Sequence, residues 1–216
     1  MTSPPRIAPL GDAALTISFG TRIEPAVTDA VARSAAAFAA EPVRGVIEWV
    51  PGYTTLTVHF DPTATSILQL SDDLRLAMIG RPEPGIGSSG HLVEVVVRYD
   101  GSDLADVAAA TGLSVREVVA RHSAVEYRVL LLGFVPGFAY LGPIDPALVL
   151  PRRASPRTRV PAGSVAIAGA QTGIYPAETP GGWHLIGRTA AALFDPRRAS
   201  PALLAVGDRV RFAEER

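Results

Sequence analysis

The sequence predicts two domains of different class, a small α+β domain followed by a mostly β, barrel-like one. Three observations predict it. Residues 14–78 switch between strand-like and helix-like periodicity in the order β-α-β-β-α. Residues 81–90, RPEPGIGSSG, form a Pro/Gly/Ser-rich run between two patterned regions and read as a linker. Residues 133–189 carry glycine or proline every few positions but fill the gaps with aromatics, valine and isoleucine. A disordered tract lacks such apolar anchors, whereas short strands joined by fixed turns need them. The domains are therefore drawn at residues 1–80 and 91–216.

The elements follow in order. Residues 14–19 alternate apolar and small side chains, as a half-buried strand does. Ile23, Val27, Ala30, Val31, Ala35 and Phe38 then keep helical spacing. Residues 43–50 and 53–60 read as two strands about the turn Pro51-Gly52, with Leu56, Val58 and Phe60 on one face. Ile67, Leu70, Leu74 and Met78 mark a second helix. This order fits a ferredoxin-like layer whose last strand is still to be supplied. After the linker, residues 91–99 form a strand. Asp103 stands at the N-cap of a helix reaching Thr111, with Gly112 as its stop. Ser114 and Glu117 make a capping box for the next helix, which runs to about His122. Residues 125–132 are a strongly apolar strand, and residues 208–212 a closing one. Many short strands, frequent turns and two brief helices give the barrel-like reading.

Composition narrows the chemistry. Among 216 residues, 20 basic and 21 acidic side chains leave a net charge of −1. No basic stripe argues for nucleic acid, and no polybasic segment for a membrane surface. No apolar run approaches the roughly 20 residues that span a bilayer, and residues 1–20 lack the pattern of a signal peptide. A cytoplasmic soluble protein is the expectation. Cysteine is absent, and all 20 basic residues are arginine. A lysine Schiff base, a biotinyl-lysine and a P-loop lysine are thereby excluded. His59, His91, His122 and His184 lack ligand spacing, so no metal site is expected.

The candidate site lies in the Pro/Gly-rich region. Phe134-Val-Pro-Gly-Phe-Ala-Tyr140 sets Phe134, Phe138 and Tyr140 around the turn Pro136-Gly137, either as an apolar pocket wall or as a core corner. Residues 151–159, PRRASPRTR, bring four arginines together; Arg153 and Arg157 can hold a carboxylate or phosphate bidentately, or line a solvated loop. Gln171, Thr172 and Tyr175 offer amide, hydroxyl and phenol groups on one turn. Pro180-Gly181-Gly182-Trp183 is a tight turn presenting an indole, with backbone N–H groups open to an anion or committed to a hairpin. Arg153, Arg157 and Gln171 are the catalytic candidates. Phe134, Pro136, Gly137, Phe138, Tyr140, Thr172, Tyr175, Pro180, Gly181, Gly182 and Trp183 are the substrate-binding ones.

These runs resemble the signature of one family, the B subunit of bacterial 5-oxoprolinase (PxpB), also called allophanate hydrolase subunit 1 or the KipI type. The similarity extends through Gly112–Val118 and His122 to Val206–Phe212. The resemblance implies a cyclophilin-like β-barrel for residues 91–216, without prolyl isomerase activity. It implies a stable C-type partner subunit (PxpC/KipA-like) and a separate A-type subunit (LamB/YcsF-like). Together such subunits hydrolyse 5-oxo-L-proline to L-glutamate at the expense of ATP, bound by the assembled complex. Two other roles occur in the family. KipI-type relatives inhibit a sensor histidine kinase. Urea carboxylase-like carboxyltransferases act on urea or allophanate, and here one would need a partner bearing carboxybiotin. One departure is visible: the glycine-rich turn that relatives carry before Asp-Leu is shortened to Tyr99-Asp-Gly-Ser-Asp-Leu104.

Overall fold

Leu15 and Ile17, alternate residues of one strand, are both fully buried, and the first part of the chain is built around them. The computed structural model describes residues 5–78 and 90–215. The chain divides into two units, Met1–Ser88 and Ser89–Arg216. The linker expected over 81–90 lies outside the described residues except for Gly90. In the first unit β1 (Arg6–Pro9), β2 (Ala14–Ser18), β3 (Val46–Pro51) and β4 (Thr55–Phe60) form an antiparallel sheet in the order β1-β2-β4-β3. Helices α1 (Pro25–Ala40) and α2 (Ile67–Met78) contribute Val31, Phe38, Leu70 and Leu74 to the core, against Leu15, Ile17, Leu56, Val58 and Phe60. Each such side chain contributes about 1.5–3 kcal/mol on burial.

The ferredoxin-like order called for a closing strand after the second helix. Among the described residues that strand is not confirmed, and the fourth strand of the sheet is β1, which lies upstream of β2 and pairs with it from Arg6↔Ser18 to Pro9↔Leu15. Four residues ending in proline carry too little periodicity to be read as a strand.

The second unit is mixed α/β. Its strands are β5 (Leu92–Val97), β6 (Glu126–Leu132), β7 (Ala139–Gly142), β8 (Arg157–Val160), β9 (Ser164–Ala168), β10 (Gln171–Ile174), β11 (Thr179–Gly181), β12 (His184–Arg188) and β13 (Arg209–Glu214). Seven of them form one sheet in the order β12-β9-β10-β7-β6-β13-β5. Only the β13–β5 pair is parallel. The two outer strands of that order meet. Arg98, just past β5, and Arg188 of β12 exchange backbone hydrogen bonds of 2.9 and 2.8 Å, so the sheet curls back upon itself. Closure of this kind removes exposed sheet edges.

Helices α3 (Leu104–Thr111) and α4 (Val115–Ser123) add Leu104, Val107, Val118 and Val119 to the core of this sheet. Their ends follow the sequence. Gly112 adopts φ +70° and stops α3, and the Ser114–Glu117 capping box is complete. Strands β8 and β11 pair with each other outside the main sheet. No helix among the described residues is long and apolar enough to cross a membrane.

Candidate functional site

Four neighbouring strands of the second unit bury both faces. Ala139, Leu141, Val165, Ile167, Ile174 and Ile186 point into the main core. Their alternates Phe138, Ala166, Ala168 and Leu185 form a second cluster with Val160, Tyr175 and Trp183, and Tyr140 packs at its edge. Period-two alternation explains the division. Small residues on the outer face make room for rings: a Cβ on Gly173 would stand 3.1 Å from the Phe138 ring and 3.3 Å from that of Trp183. Phe138 is the hub. Its ring centroid lies 4.8 Å from Tyr140, 5.3 Å from Tyr175, 5.5 Å from Phe134 and 5.6 Å from Trp183, all edge-on. Such pairs contribute about 0.5–1.5 kcal/mol each beyond burial.

Phe134 differs from the others. It is 58% exposed and holds φ +72°, a left-handed conformation that costs a non-glycine residue of order 1–3 kcal/mol. The turn that holds it is tied by Val135 N–H to Gly133 O (2.9 Å) and Phe138 N–H to Val135 O (3.0 Å). Gly137, at φ +83°, closes the turn against Leu193 and Phe194, where a side chain has no room.

Beside this layer sits an acidic residue that sequence reading placed at a helix cap. Asp103 is 2% exposed, and its carboxylate makes no capping bond to α3. It accepts instead from Arg153 Nη1 at 2.8 Å, Arg157 Nη2 at 2.6 Å and the backbone N–H of Leu185 at 2.7 Å. Burial pushes the Asp103 carboxyl up. Hydrogen bonds from Arg157 and Leu185, with the charges of Arg157 and Arg153, outweigh it and hold the group below the usual carboxylate range. The arginine side chains are 30% and 25% exposed. Arg153 Nε and Arg157 Nη1 are nevertheless buried and find no acceptor among the described residues.

The Pro180–Trp183 turn joins the same place. Gly181 of β11 pairs with Arg157 of β8, and Arg153 N–H donates to Gly182 O at 2.8 Å. A Cβ on Gly181 would collide with the Tyr175 hydroxyl. Burial raises the Tyr175 pKa, against a backbone hydrogen bond at Trp183 and the positive charges of Arg152 and Arg157. Arg153 and Arg157 thus meet on Asp103, and Gly181 and Gly182 are tied to the two arginines by backbone pairing.

Two candidates lie elsewhere. Gln171 is at the far end of β10 from Tyr175, against Gly142. Thr172 is fully buried and faces the barrel interior. Its hydroxyl donates to Ala166 O at 3.0 Å, so it must accept from His122 Nε2–H at 2.8 Å. His122 Nδ1 is left as acceptor for the Tyr99 hydroxyl at 2.8 Å. Both ring nitrogens of His122 are thereby satisfied. Burial lowers the His122 pKa to about 3 and keeps the ring neutral.

Sequence reasoning missed Asp103 as a site residue. A Ser-Asp pair before a helix carries an ordinary capping signal, and its arginine partners stand 50 and 54 positions downstream.

The curled sheet, with an aromatic layer on its outer face, matches a known domain class. Residues 5–204 match the family of the carboxyltransferase domain, subdomain C and D. The B subunit of the 5-oxoprolinase of Bacillus subtilis (strain 168) is 41% identical, over 98% of this chain and 93% of its own length. That of Escherichia coli O157:H7 is 47% identical, over 79% of each. A crystal structure of TTHA0988 superposes with a TM-score of 0.84 at 42% identity; it covers 94% of this chain, which spans 39% of that longer one. The chain belongs to the family of 5-oxoprolinase B subunits.

Proposed function

We propose that this chain is the B-type subunit of a cytoplasmic, multi-subunit, ATP-dependent 5-oxoprolinase, acting with a C-type and an A-type subunit. It would convert 5-oxo-L-proline to L-glutamate, with a cyclophilin-like barrel in residues 91–216 carrying its part of the site. The names of the two relatives at 41% and 47% identity support the reading. The observation that carries it on this chain is the pair Arg153 and Arg157, fixed by buried Asp103 beside Tyr175 and the Gly181–Trp183 turn.

A lactam is a poor electrophile, so its opening requires a substrate held firmly in place. Fixed N–H donors in a partly desolvated place hold an anion better than mobile ones in water. Asp103 supplies the fixing here: it holds two guanidiniums in register, so little reorientation is needed when an anionic substrate arrives. The edge-on rings of Phe138, Tyr175 and Trp183 form a buried apolar layer next to this cluster. The chain has no lysine for a P-loop, and the N-terminus of α4 is filled by Glu117 through its capping box. On these grounds ATP is assigned to the assembled complex.

The test is co-expression with the neighbouring C-type and A-type subunits and assay of ATP-dependent glutamate release from 5-oxoproline, omitting each subunit in turn. Release that requires this chain supports the proposal. A stable complex that releases no glutamate, or undiminished release without this chain, rejects it.

A further inference from the structure

We infer that Arg153 and Arg157 bind the carboxylate of a small ring acid, which for the function proposed above is the carboxylate of 5-oxoproline rather than its lactam carbonyl. The inference rests on that reading for the substrate, and on charge and donor accounting for the site.

Two guanidiniums face one carboxylate, so the cluster around Asp103 holds one positive charge that no group among the described residues balances. Exposed Arg152 adds to the positive field at Tyr175. The nearby acids are engaged elsewhere: Glu178 with Arg159, Asp145 with Arg121, and Asp100 with Arg98 and Arg188. A single structural ion pair would need only one arginine. The second raises the cost of burial without a second partner.

The donors tell the same story. Asp103 takes Nη1 of Arg153 and Nη2 of Arg157. Nε of Arg153 and Nη1 of Arg157 remain buried without an acceptor among the described residues. Buried donors of this kind are rare in folded proteins and call for a partner. Two N–H groups and one net charge match the two oxygens and one charge of a carboxylate. A phosphate dianion carries more charge and more acceptor sites than this set can meet. Tyr175 and Trp183 belong to the buried layer next to the cluster, and Gly181 pairs directly with Arg157.

The full chain, alone and in the assembled complex without ATP, would be titrated by calorimetry with three probes: 5-oxo-L-proline, its primary carboxamide, and inorganic phosphate. The carboxamide keeps the lactam and loses the charge. We expect the acid to bind at least about tenfold more tightly than the carboxamide or phosphate. Arg157→Lys keeps a cation for Asp103 but removes the second donor; it should hold the melting temperature and lose about tenfold in affinity for the acid. Equal binding of acid and carboxamide, preferred binding of phosphate, or unchanged affinity in a folded Arg157→Lys variant overturns the inference. The carboxamide comparison needs no variant, so it decides even if the substitution unfolds the chain. Discrimination for the acid in a complex that releases no glutamate would preserve the carboxylate site and reject the oxoprolinase reading. Glutamate release without discrimination would do the reverse.

Discussion

Asp103 and Arg157, 54 residues apart in the chain, meet at 2.6 Å, with the carboxylate buried and the guanidinium still partly open to solvent. That one pair fastens the turn after β5 to strand β8 and, through Gly181, to β11. The Tyr99–Leu104 turn therefore has a structural role. Gly101 explains how: a Cβ there would collide with the backbone of Leu185 and Ile186, so only glycine lets the turn reach β12.

Removing Asp103 leaves two arginines without their shared acceptor. Asp103→Ala is expected to lower unfolding free energy by about 2–4 kcal/mol, less than for a fully buried pair because both arginines reach water. Urea unfolding measures it. Since the folded pKa lies below the unfolded one, the stabilisation by ionised Asp103 is present above the usual carboxylate range and lost as pH falls through the lowered value. A loss within experimental error would show the cluster to be ornamental.

His122 gives a second pH signature. Its folded pKa is about 3 against 6.5 for the unfolded chain, so the unfolded state takes up a proton that the folded state refuses. Stability present above pH 6.5 should decline as pH falls toward 3, by up to about 1.4 kcal/mol per unit from this group. Nuclear magnetic resonance of the imidazole C–H tests it directly. A resonance that titrates near the ordinary histidine value in the folded chain contradicts the buried neutral ring.

Phe134 should separate stability from activity. Phe134→Gly relieves a strained φ and removes a ring that is more than half exposed, so unfolding free energy should stay within about 1 kcal/mol of wild type or rise. Turnover of the assembled complex should fall. A clear loss of stability, or full turnover, would mean the ring is held out for packing alone or for nothing.

Gly173→Ala tests the two-faced sheet. The added methyl would meet Ala139 O at 3.0 Å and the Phe138 and Trp183 rings at 3.1 and 3.3 Å. We expect a cost of about 1–3 kcal/mol from overpacking and a shift in tryptophan emission as Trp183 is displaced. Wild-type stability and emission would show that the outer layer is loosely packed.

Much of this fold was legible locally. Period-two runs marked β2 and β4, apolar runs marked β5 and β6, and helical spacing marked α1 and α2. The Gly112 stop and the Ser114–Glu117 box fixed the two short helices because caps are local hydrogen bonds. The site was legible only in part. The aromatic residues and the Pro180–Trp183 turn stand in dense motifs, and the structure gathers Phe138, Tyr175 and Trp183 in one layer. Gln171 and Thr172 adjoin them in sequence, but strand direction carries Gln171 to the far end and alternation turns Thr172 inward. Asp103 and the Arg98–Arg188 closure depend on pairing between distant segments, which no local pattern encodes.

The most direct test of the central claim is turnover of the complete complex carrying Arg157→Ala or Trp183→Ala in this chain. The account predicts that each lowers ATP-dependent glutamate release by tenfold or more, about 1.4 kcal/mol of barrier, while the subunits still assemble. Wild-type turnover by both variants would contradict it and place the working groups of the enzyme elsewhere.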